Sequence, residues 1–323
     1  MCGQGEGGGL TASVDMSGTS VMVTGASGFL GSLLARELLR YGAKVFAVTS
    51  KDDKSLARSL GLDGGNESLC RIDARDFTSI RASMGQTDIL FNCAFPRSCT
   101  GEVMARGLDF ISNIISCANR FKVARVINIS SQSVYSKKRT TPVTEADSAS
   151  PETPYAVGKY AVEVMLRHLC GDVRMATNIR LASLIGPGFD QRMVNKMAVR
   201  AAESGSISVV SGSSRFGFLD VADAVAALLR LAASDDASWE FVYNVGSRKS
   251  YTPYDLAIIV RDCFACLGRS IEVRCEGQEK EKTCSEIDSS RFAAQFGEFQ
   301  TRRIEDSVME IACEVLRVRG MAL

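Results

Sequence analysis

The chain has 323 residues, more than a single hydrophobic core usually serves, so a large domain with a smaller lobe is expected. Its 38 basic and 37 acidic residues give a net charge of +1, which argues against a dedicated nucleic-acid-binding protein or a polybasic membrane protein. No apolar run approaches the roughly 20 residues that span a bilayer, and the glycine-rich residues 1–16 lack the apolar core of a secretory signal. We therefore expect a disordered tail over 1–16, a cytoplasmic location and reduced cysteine thiols.

The first predicted elements, over residues 21–48, are a strand, a glycine-rich turn, a helix and a second strand. Three glycines in the turn sequence TGASGFLG follow one another at intervals of three residues. The first permits a tight turn, the second lets the backbone approach a pyrophosphate, and the third lets the helix pack against the strand. The phosphates would face unpaired N–H groups at the helix N-terminus. The candidate cofactor-binding residues here are Gly25, Ser27, Gly28, Phe29, Leu30 and Gly31.

The end of the second strand bears on which dinucleotide binds. An NAD-binding fold commonly has an acid here, which holds the ribose hydroxyls. This strand ends instead in Thr49 and Ser50, followed by Lys51, while Asp52 and Asp53 lie beyond the expected position. Hydroxyls and a cation suit the 2′-phosphate of NADP. The sequence therefore favours NADP over NAD, unless Lys51 is only a solvated loop residue.

Three further strands are predicted before residue 135. The third ends at Asp73, whose carboxylate either accepts a hydrogen bond from the adenine amino group or only caps a turn. The fourth ends at Ala94, which we include with Ala74 among the cofactor-binding candidates. The fifth ends in two hydroxyls, Ser130 and Ser131. Strands that alternate with helices predict an α/β fold with a doubly wound parallel (Rossmann) sheet, which binds ligands at the carboxyl ends of its strands.

A tyrosine and a lysine begin the next predicted helix. Tyr155 and Lys159 are four residues apart, so both project from the same helical face. An ammonium beside a phenol favours the phenolate and lowers the pKa of the tyrosine from its usual value of about 10. Such a tyrosine exchanges a proton near neutral pH, as hydride transfer to or from an alcohol carbon requires. The pair therefore indicates a redox site, because it follows the glycine turn and the serine-ended strand.

Four of these motifs together resemble the extended short-chain dehydrogenase/reductases, the NAD-dependent epimerase/dehydratase family: TGASGFLG, DARD, ISSQSVY and YAVGK. The resemblance continues through NIRLASLIGPG, GFLDVADAVAALL and FVYNVGS, and so covers nearly the whole chain after the tail. It implies a role for each matching residue: reacting-oxygen binding for Ser131, acid/base chemistry and a cofactor contact for Tyr155, nicotinamide-ribose binding for Lys159 and an adenine contact for Asp73.

Departures from the family pattern concern the substrate. Ser183 stands where the family's nucleotide-sugar enzymes commonly have an asparagine that touches the diphosphate. Those enzymes also have an arginine at a fixed distance before the VxD element, but here Phe216 takes that place and Arg215 is one residue too far away. Gln132 and Ser133 stand where 4,6-dehydratases of the family often have an Asp-Glu pair, which argues against that activity.

The chain is thereby divided into a dinucleotide-binding Rossmann domain, 17–184, and a small mixed α/β substrate lobe, 185–323, of which 217–247 partly returns to the sheet. We expect an NAD(P)-dependent epimerase or reductase of a sugar-like, nucleotide-linked substrate. The alternatives are an NADPH-dependent reductase of a small non-nucleotide carbonyl compound and a non-catalytic dinucleotide-binding scaffold.

Expectations about other partners follow from composition and from the resemblance. A single histidine, His168, makes a histidine-based metal site improbable, so no metal is expected. No nucleic acid and no membrane are expected either. In the resembled family two long helices, here 103–121 and 155–169, form a dimer interface, so we expect a homodimer.

Overall fold

The computed structural model describes residues 14–62, 66–96, 98, 100–170, 175–189, 192–234, 238–278, 281–298 and 301–322. The strands of these ranges are β1 (Ser20–Thr24), β2 (Lys44–Thr49), β3 (Leu69–Asp73), β4 (Ile89–Asn92), β5 (Arg125–Ser131), β6 (Met175–Leu181), β7 (Ser183–Ile185), β8 (Ser206–Ser211), β9 (Phe216–Asp220), β10 (Val242–Val245), β11 (Ser250–Tyr251) and β12 (Glu272–Gln278). The helices are α1 (Phe29–Arg40), α2 (Asp53–Leu60), α3 (Phe77–Met84), α4 (Gly101–Arg120), α5 (Pro154–Leu169), α6 (Met193–Ser204), α7 (Val221–Ala232), α8 (Pro253–Cys266), α9 (Ser290–Phe296) and α10 (Ile304–Val318).

A seven-stranded parallel sheet, in the order β10-β6-β5-β4-β1-β2-β3, is the centre of the described part of the chain. Its inner strands are buried on both faces, which explains why β1, β2 and β4 are nearly continuous apolar runs. Side chains of α1, α2 and α7 pack in the core on one face, and side chains of α3, α4 and α5 pack on the other. The doubly wound parallel Rossmann sheet predicted from the sequence is confirmed.

A smaller core lies in the C-terminal part of the chain. It is built from α6, α8 and α10 with the parallel pair β8–β12 and residues of the three-stranded sheet β11-β9-β7. The chain also returns to the main sheet, because β10 pairs with β6 and α7 packs against α1. Within the predicted return, 217–247, β9 does not join the main sheet but lies between β7 and β11. The division of the chain at residue 185 stays a prediction.

The sequence did not predict two local features. The predicted tail, 1–16, lies outside the described residues as far as residue 13, but Met16 is buried and its N–H donates to the Tyr41 carbonyl at 2.8 Å. Because the apolar methionine packs into the core, ordered structure begins before residue 17. Asp52 introduces α2, since its carboxylate accepts a hydrogen bond from the Ser55 N–H at 2.7 Å as a helix N-cap.

A row of buried polar side chains crosses β1, β4, β5 and β6. Thr24 Oγ1 donates to Asn92 Oδ1 at 2.8 Å, and Asn92 Nδ2 donates to Asn128 Oδ1 at 2.9 Å. Asn128 Nδ2 in turn donates to Asn178 Oδ1 at 2.8 Å. The four residues face one another in the strand register and are at most 1% exposed. A one-residue slip would leave buried polar groups unpaired, so the row stabilises the register beside the strand end that bears Ser131.

Asn128→Ala is expected to lower the free energy of unfolding by about 2–4 kcal/mol, because it leaves the Asn92 donor and the Asn178 acceptor buried without partners. Urea unfolding followed by circular dichroism measures the loss. Asn113→Ala, at an exposed position of α4, is the matched control and should stay within about 0.5 kcal/mol of wild type. A loss in Asn128→Ala no larger than that of the control would contradict the role of the row.

Candidate active site

The turn between β1 and α1 leaves no room for side chains at its glycines. Gly25 has a φ of +68°, and a Cβ on it would lie 3.0 Å from the backbone of Ala94. A Cβ on Gly31 would lie 2.3 Å from the Gly25 carbonyl oxygen, so this glycine lets α1 pack against the turn. Gly28 is the N-cap of α1 and brings no capping side chain. The backbone cradle fits the pyrophosphate of a dinucleotide, which would meet the N–H groups and the positive end of the helix dipole.

A cleft opens beside this turn. Among the residues that line it are Gly25, Ser27, Gly28, Ser50, Lys51 and Ala94. Phe29 stacks on Phe189 of the C-terminal part, with ring centroids 4.5 Å apart, whereas the Leu30 side chain is buried in the core. Cys93 also lines the cleft, and burial raises the pKa of its thiol to about 12 although nearby Lys159 acts in the opposite direction. That thiol therefore stays protonated and is not a nucleophile at neutral pH.

The hydroxyl of Thr49 is already used within the protein. Thr49 is 3% exposed, and its Oγ1 lies 2.7 Å from Ser27 Oγ and accepts a hydrogen bond from the Lys51 N–H at 3.1 Å. The hydroxyl thus ties the end of β2 to the glycine turn. Ser50 and Lys51 are exposed at the cleft, so they are the groups at this strand end that a ribose or its phosphate would meet.

Asp73 ends β3 as predicted, but its carboxylate has a partner that the sequence did not suggest. Arg75 donates to it through Nε at 2.9 Å and Nη2 at 2.8 Å, and the Arg75 N–H donates at 2.9 Å. These hydrogen bonds hold the pKa of Asp73 well below its usual range. Ala74 continues the turn, since its N–H donates to the Thr49 carbonyl at 3.0 Å. The adenine contact of Asp73 stays a prediction.

Tyr155 and Lys159 lie in the first two turns of α5. Thr153 caps this helix by accepting from the Ala156 N–H at 3.2 Å, and a proline occupies its first turn. Lys159 is 5% exposed and donates from Nζ to the Ile129 carbonyl at 2.8 Å. Its Nζ lies 5.9 Å from the centroid of the Tyr155 ring. The helix that bears the tyrosine is thereby attached to β5, two residues before Ser131.

Ser131 lies at the end of β5, where it caps a short 3₁₀ turn, Gln132–Val134. Its Oγ accepts hydrogen bonds from the Ser133 N–H at 3.2 Å and from Ser133 Oγ at 2.9 Å. A hydroxyl that accepts two hydrogen bonds still has its own proton to donate. Ser131 can therefore hold the oxygen of a carbonyl or alkoxide at the carboxyl end of the sheet.

A buried ion pair lies behind this serine and was not predicted from the sequence. Glu163 of α5 accepts from Arg180 of β6 at 3.0 Å and 2.6 Å, and it also accepts from the Ser130 hydroxyl. Both charged side chains are at most 6% exposed. The available signal was the position of Glu163, which follows Lys159 by four residues and so shares its buried face. The pair connects three elements around the candidate site.

The positions that depart from the family pattern make contacts within the protein. Ser183 Oγ accepts from Gln132 Nε2 at 3.1 Å, and Gln132 Oε1 accepts from Arg139 Nη2 at 2.6 Å. Arg215 donates from Nε to Ser250 Oγ at 3.0 Å and from Nη2 to the Ser250 carbonyl. The Arg215 guanidinium is thus attached to β11, and the Ser183 hydroxyl belongs to a polar group next to Ser131.

No group of three or more His, Cys, Asp or Glu side chains in the described ranges is arranged to hold a metal ion. No helix in that part of the chain combines the length and the apolarity needed to cross a membrane. The described cysteines are free thiols, of which Cys70, Cys266 and Cys275 are exposed.

Comparison with known proteins places these features in a wider context. The model of the NAD dependent epimerase/dehydratase family matches residues 21–246. A dTDP-4-dehydro-6-deoxy-D-allose reductase from Streptomyces sp is 27% identical over 283 residues, which are 80% of this chain and 85% of the relative. Cinnamoyl-CoA reductase 1 from Oryza sativa subsp. japonica is 35% identical over 137 residues, 41% of this chain and 39% of the relative.

Solved structures share the fold at lower sequence identity. The UDP-glucuronic acid 4-epimerase from Bacillus cereus, in complex with UDP-glucuronic acid and NAD, has a TM-score of 0.77 at 16% identity and is covered over 100% of its chain and 93% of this one. The Bordetella bronchiseptica enzyme WbmH, in complex with NAD+, has a TM-score of 0.75 at 21% identity and is covered over 99%, against 94% of this chain. Both alignments extend over the main sheet and the C-terminal part.

Proposed function

Because the chain belongs to the NAD dependent epimerase/dehydratase family, we propose that it transfers hydride between a nicotinamide cofactor and a sugar-like, nucleotide-linked substrate. It is an NAD(P)-dependent enzyme of the extended short-chain dehydrogenase/reductase type. The observation that carries the site assignment is the hydrogen bond from Lys159 Nζ to the Ile129 carbonyl, at 2.8 Å. It brings the helix of Tyr155 to the strand that ends in Ser131.

The chain's own groups handle the proton, while the nicotinamide, when bound, supplies or accepts the hydride. Tyr155 removes the proton of the substrate hydroxyl as the carbon that bears this hydroxyl becomes a carbonyl. In the reverse direction Tyr155 returns the proton. The Lys159 ammonium, buried nearby, favours the phenolate form of Tyr155. Ser131 donates to the same substrate oxygen and so keeps it in line with the tyrosine.

The net reaction depends on how long the cofactor stays bound. A retained cofactor makes the result epimerisation, and an exchanging one makes it reduction. Gln132 and Ser133 occupy the positions of the dehydratase acids without being acids, and the Streptomyces relative that aligns over 80% of the chain is a reductase of a dTDP-linked sugar. We therefore propose a nucleotide-sugar epimerase or ketoreductase.

Titration of the purified protein with UDP- and dTDP-linked sugars tests this function. We expect at least one of them to bind and to be turned over in the presence of the dinucleotide. The cofactor that copurifies separates the two reactions, since tightly held NAD favours epimerisation and an empty site that prefers NADPH favours reduction. If none of these sugars binds and a simple ketone is turned over, the proposal of a nucleotide-linked substrate is refuted.

A second candidate is an NADPH-dependent reductase of a small carbonyl compound that carries no nucleotide. Arg215 and Ser183 lie at or next to the positions from which the family's nucleotide-sugar enzymes contact the diphosphate. This candidate is favoured because Arg215 is bonded to Ser250 and Ser183 to Gln132 within the protein. The cinnamoyl-CoA reductases, at 32% to 35% identity, match less than half of the chain. The same titration decides between the candidates, because this one requires turnover without nucleotide binding.

NADP is our proposed cofactor, in preference to NAD. No acid ends β2, the Thr49 hydroxyl is bonded to Ser27, and Ser50 and Lys51 are exposed at the cleft. A second cation, the Arg71 guanidinium, lies near the same strand end, since its Nε donates to the Lys51 carbonyl at 2.6 Å. Hydroxyl donors and positive charge suit a 2′-phosphate better than a free ribose hydroxyl.

Lys51→Glu is expected to weaken NADPH binding by about tenfold and to change NADH binding by less than about twofold, because only NADPH places a phosphate beside the reversed charge. Fluorescence titration of both dinucleotides measures the two affinities. Lys54→Glu, at an exposed position of α2, is the control for a general change in charge. Equal weakening of NADPH and NADH by Lys51→Glu would place the phosphate elsewhere.

A homodimer through α4 and α5 is also proposed. Both helices expose apolar side chains: Val103 is 39% exposed, Val157 51% and Val164 41%. Such side chains are candidates for burial against a second copy. Sedimentation velocity tests this proposal, and a monomer at micromolar concentration would refute it. The cytoplasmic location stays a prediction.

A further inference from the structure

Arg139 is a half-buried cation that forms no ion pair with a carboxylate in the described part of the chain. Its Nη1 donates to the Ser136 carbonyl at 2.7 Å and its Nη2 to Gln132 Oε1 at 2.6 Å, and both acceptors are neutral. Its Nε is buried and has no hydrogen-bond partner among those residues. Burial lowers the pKa of Arg139, but a guanidinium stays charged at neutral pH. Because removing a cation from water is costly, a half-buried guanidinium with only neutral partners is suited to a ligand that supplies the anion.

Two acids that follow Arg139 in the chain are engaged elsewhere. Glu152 Oε1 accepts hydrogen bonds from Ser136 Oγ at 2.7 Å and from the Lys137 N–H at 2.9 Å. Glu145 Oε1 accepts from the Asn244 N–H at 2.7 Å. Both carboxylates thus satisfy donors of the loop and of β10 rather than the guanidinium.

The position of Arg139 relates it to the reacting end of the substrate. Gln132 accepts the hydrogen bond from Arg139 Nη2. It follows Ser131 directly and is 8% exposed. The other end of the Gln132 amide donates to Ser183 at 3.1 Å, and Ser183 begins β7 just after β6 ends. The three side chains form a polar tier at the carboxyl ends of β5 and β6. Because Ser131 holds the reacting oxygen in the proposed mechanism and Gln132 follows it in the chain, these three side chains lie next to the reacting end of the substrate.

We propose that Arg139, Gln132 and Ser183 form a subsite for a carboxylate on the sugar, so that the substrate is a nucleotide-linked hexuronate. This subsite rests on the proposed function. A carboxylate accepts two parallel hydrogen bonds from the Nε and Nη2 atoms of a guanidinium. In Arg139, Nη2 donates to the amide oxygen of Gln132, and Nε has no partner among the described residues. The amide oxygen of Gln132 occupies Nη2 until the carboxylate replaces it. The Gln132 amide nitrogen and the Ser183 hydroxyl then remain to donate to the sugar.

Calorimetric titration of the NADP+-loaded enzyme with UDP-glucuronate and UDP-glucose, repeated with the dTDP-linked pair, tests the subsite. Wild type is expected to bind the uronate about 100-fold more tightly than the neutral sugar, as hydrogen bonds between charged groups allow. Arg139→Gln should lose about 100-fold in uronate affinity and less than about threefold in affinity for the neutral sugar. Lys138→Gln, an exposed cation next in the chain, is the matched control and should change neither affinity.

A conservative variant keeps the test decisive where Arg139→Gln folds poorly. Arg139→Lys retains the charge without the fork, so it should keep only part of the preference for the uronate. A wild type that prefers the neutral sugar, or an Arg139→Gln that weakens both sugars equally, would overturn the subsite and leave the proposed function standing. Failure of all four nucleotide sugars to bind wild type would instead overturn the proposed function, and the subsite with it.

Discussion

Tyr155→Phe is expected to lower kcat by about 10²- to 10⁴-fold, because it removes the phenol that exchanges the substrate's proton. Phenylalanine keeps the aromatic ring, which meets Phe95 edge-to-face with centroids 5.3 Å apart, so the site should keep its shape. Steady-state assays with the preferred nucleotide sugar measure the loss. Fluorescence titration of the dinucleotide should give an affinity within about twofold of wild type, since the lost interaction acts on the chemical step.

Tyr254→Phe, in the first turn of α8, is the matched control for this prediction. Tyr254 is 47% exposed, so its hydroxyl should be dispensable for turnover. Unchanged activity in Tyr155→Phe would remove Tyr155 from the mechanism. Loss of dinucleotide binding together with activity would indicate that the phenol holds the cofactor rather than the proton.

The central sheet and its glycine turn can be predicted from sequence because each is encoded over a short stretch of chain. The first predicted strand is β1, and the helix that follows it begins at Phe29, directly after the second glycine. The face shared by Tyr155 and Lys159 follows from helical periodicity alone. Parallel strands separated by helices must then bring their carboxyl ends to one edge, which places Ser131 near the turn.

The contacts made across the fold are harder to predict, because they join residues that are distant in sequence. Nothing near Thr49 indicates that its hydroxyl meets Ser27 rather than a ribose. Helical spacing places Glu163 on the buried face of α5, but nothing near it in sequence identifies Arg180, on β6, as its partner. Local periodicity says which face of a helix is buried, but it does not identify the partner that makes burial of a charge tolerable.

The buried ion pair should give the largest effect of a single substitution on stability. Burial alone would lower the pKa of Arg180, but the hydrogen bonds and charge of Glu163 raise it above its usual value. Glu163→Gln is expected to lower the free energy of unfolding by about 3–5 kcal/mol, because it leaves the arginine charged and unneutralised in the core. Chemical denaturation monitored by circular dichroism measures the loss.

An exposed ion pair supplies the control for this substitution. Arg248 and Glu298 are 2.7 Å apart, but their side chains are 70% and 74% exposed. Glu298→Gln should therefore lower the free energy of unfolding by less than about 1 kcal/mol, because water solvates the remaining charge. A loss in Glu163→Gln as small as that in Glu298→Gln would contradict the picture of a desolvated pair.

Replacing both partners separates the stability of the pair from its effect on the site. The double variant Glu163→Met and Arg180→Met removes both charges, so we expect it to recover most of the stability lost in Glu163→Gln. The hydroxyl of Ser130, the residue before Ser131, nevertheless loses its acceptor. That acceptor is Glu163, which lies two turns beyond Tyr155 on α5. We therefore expect kcat of the double variant to stay about tenfold below wild type, since a small displacement of Tyr155 relative to Ser131 slows the chemical step. Full activity in a stable double variant would show that the pair holds the fold and does not position the reacting groups.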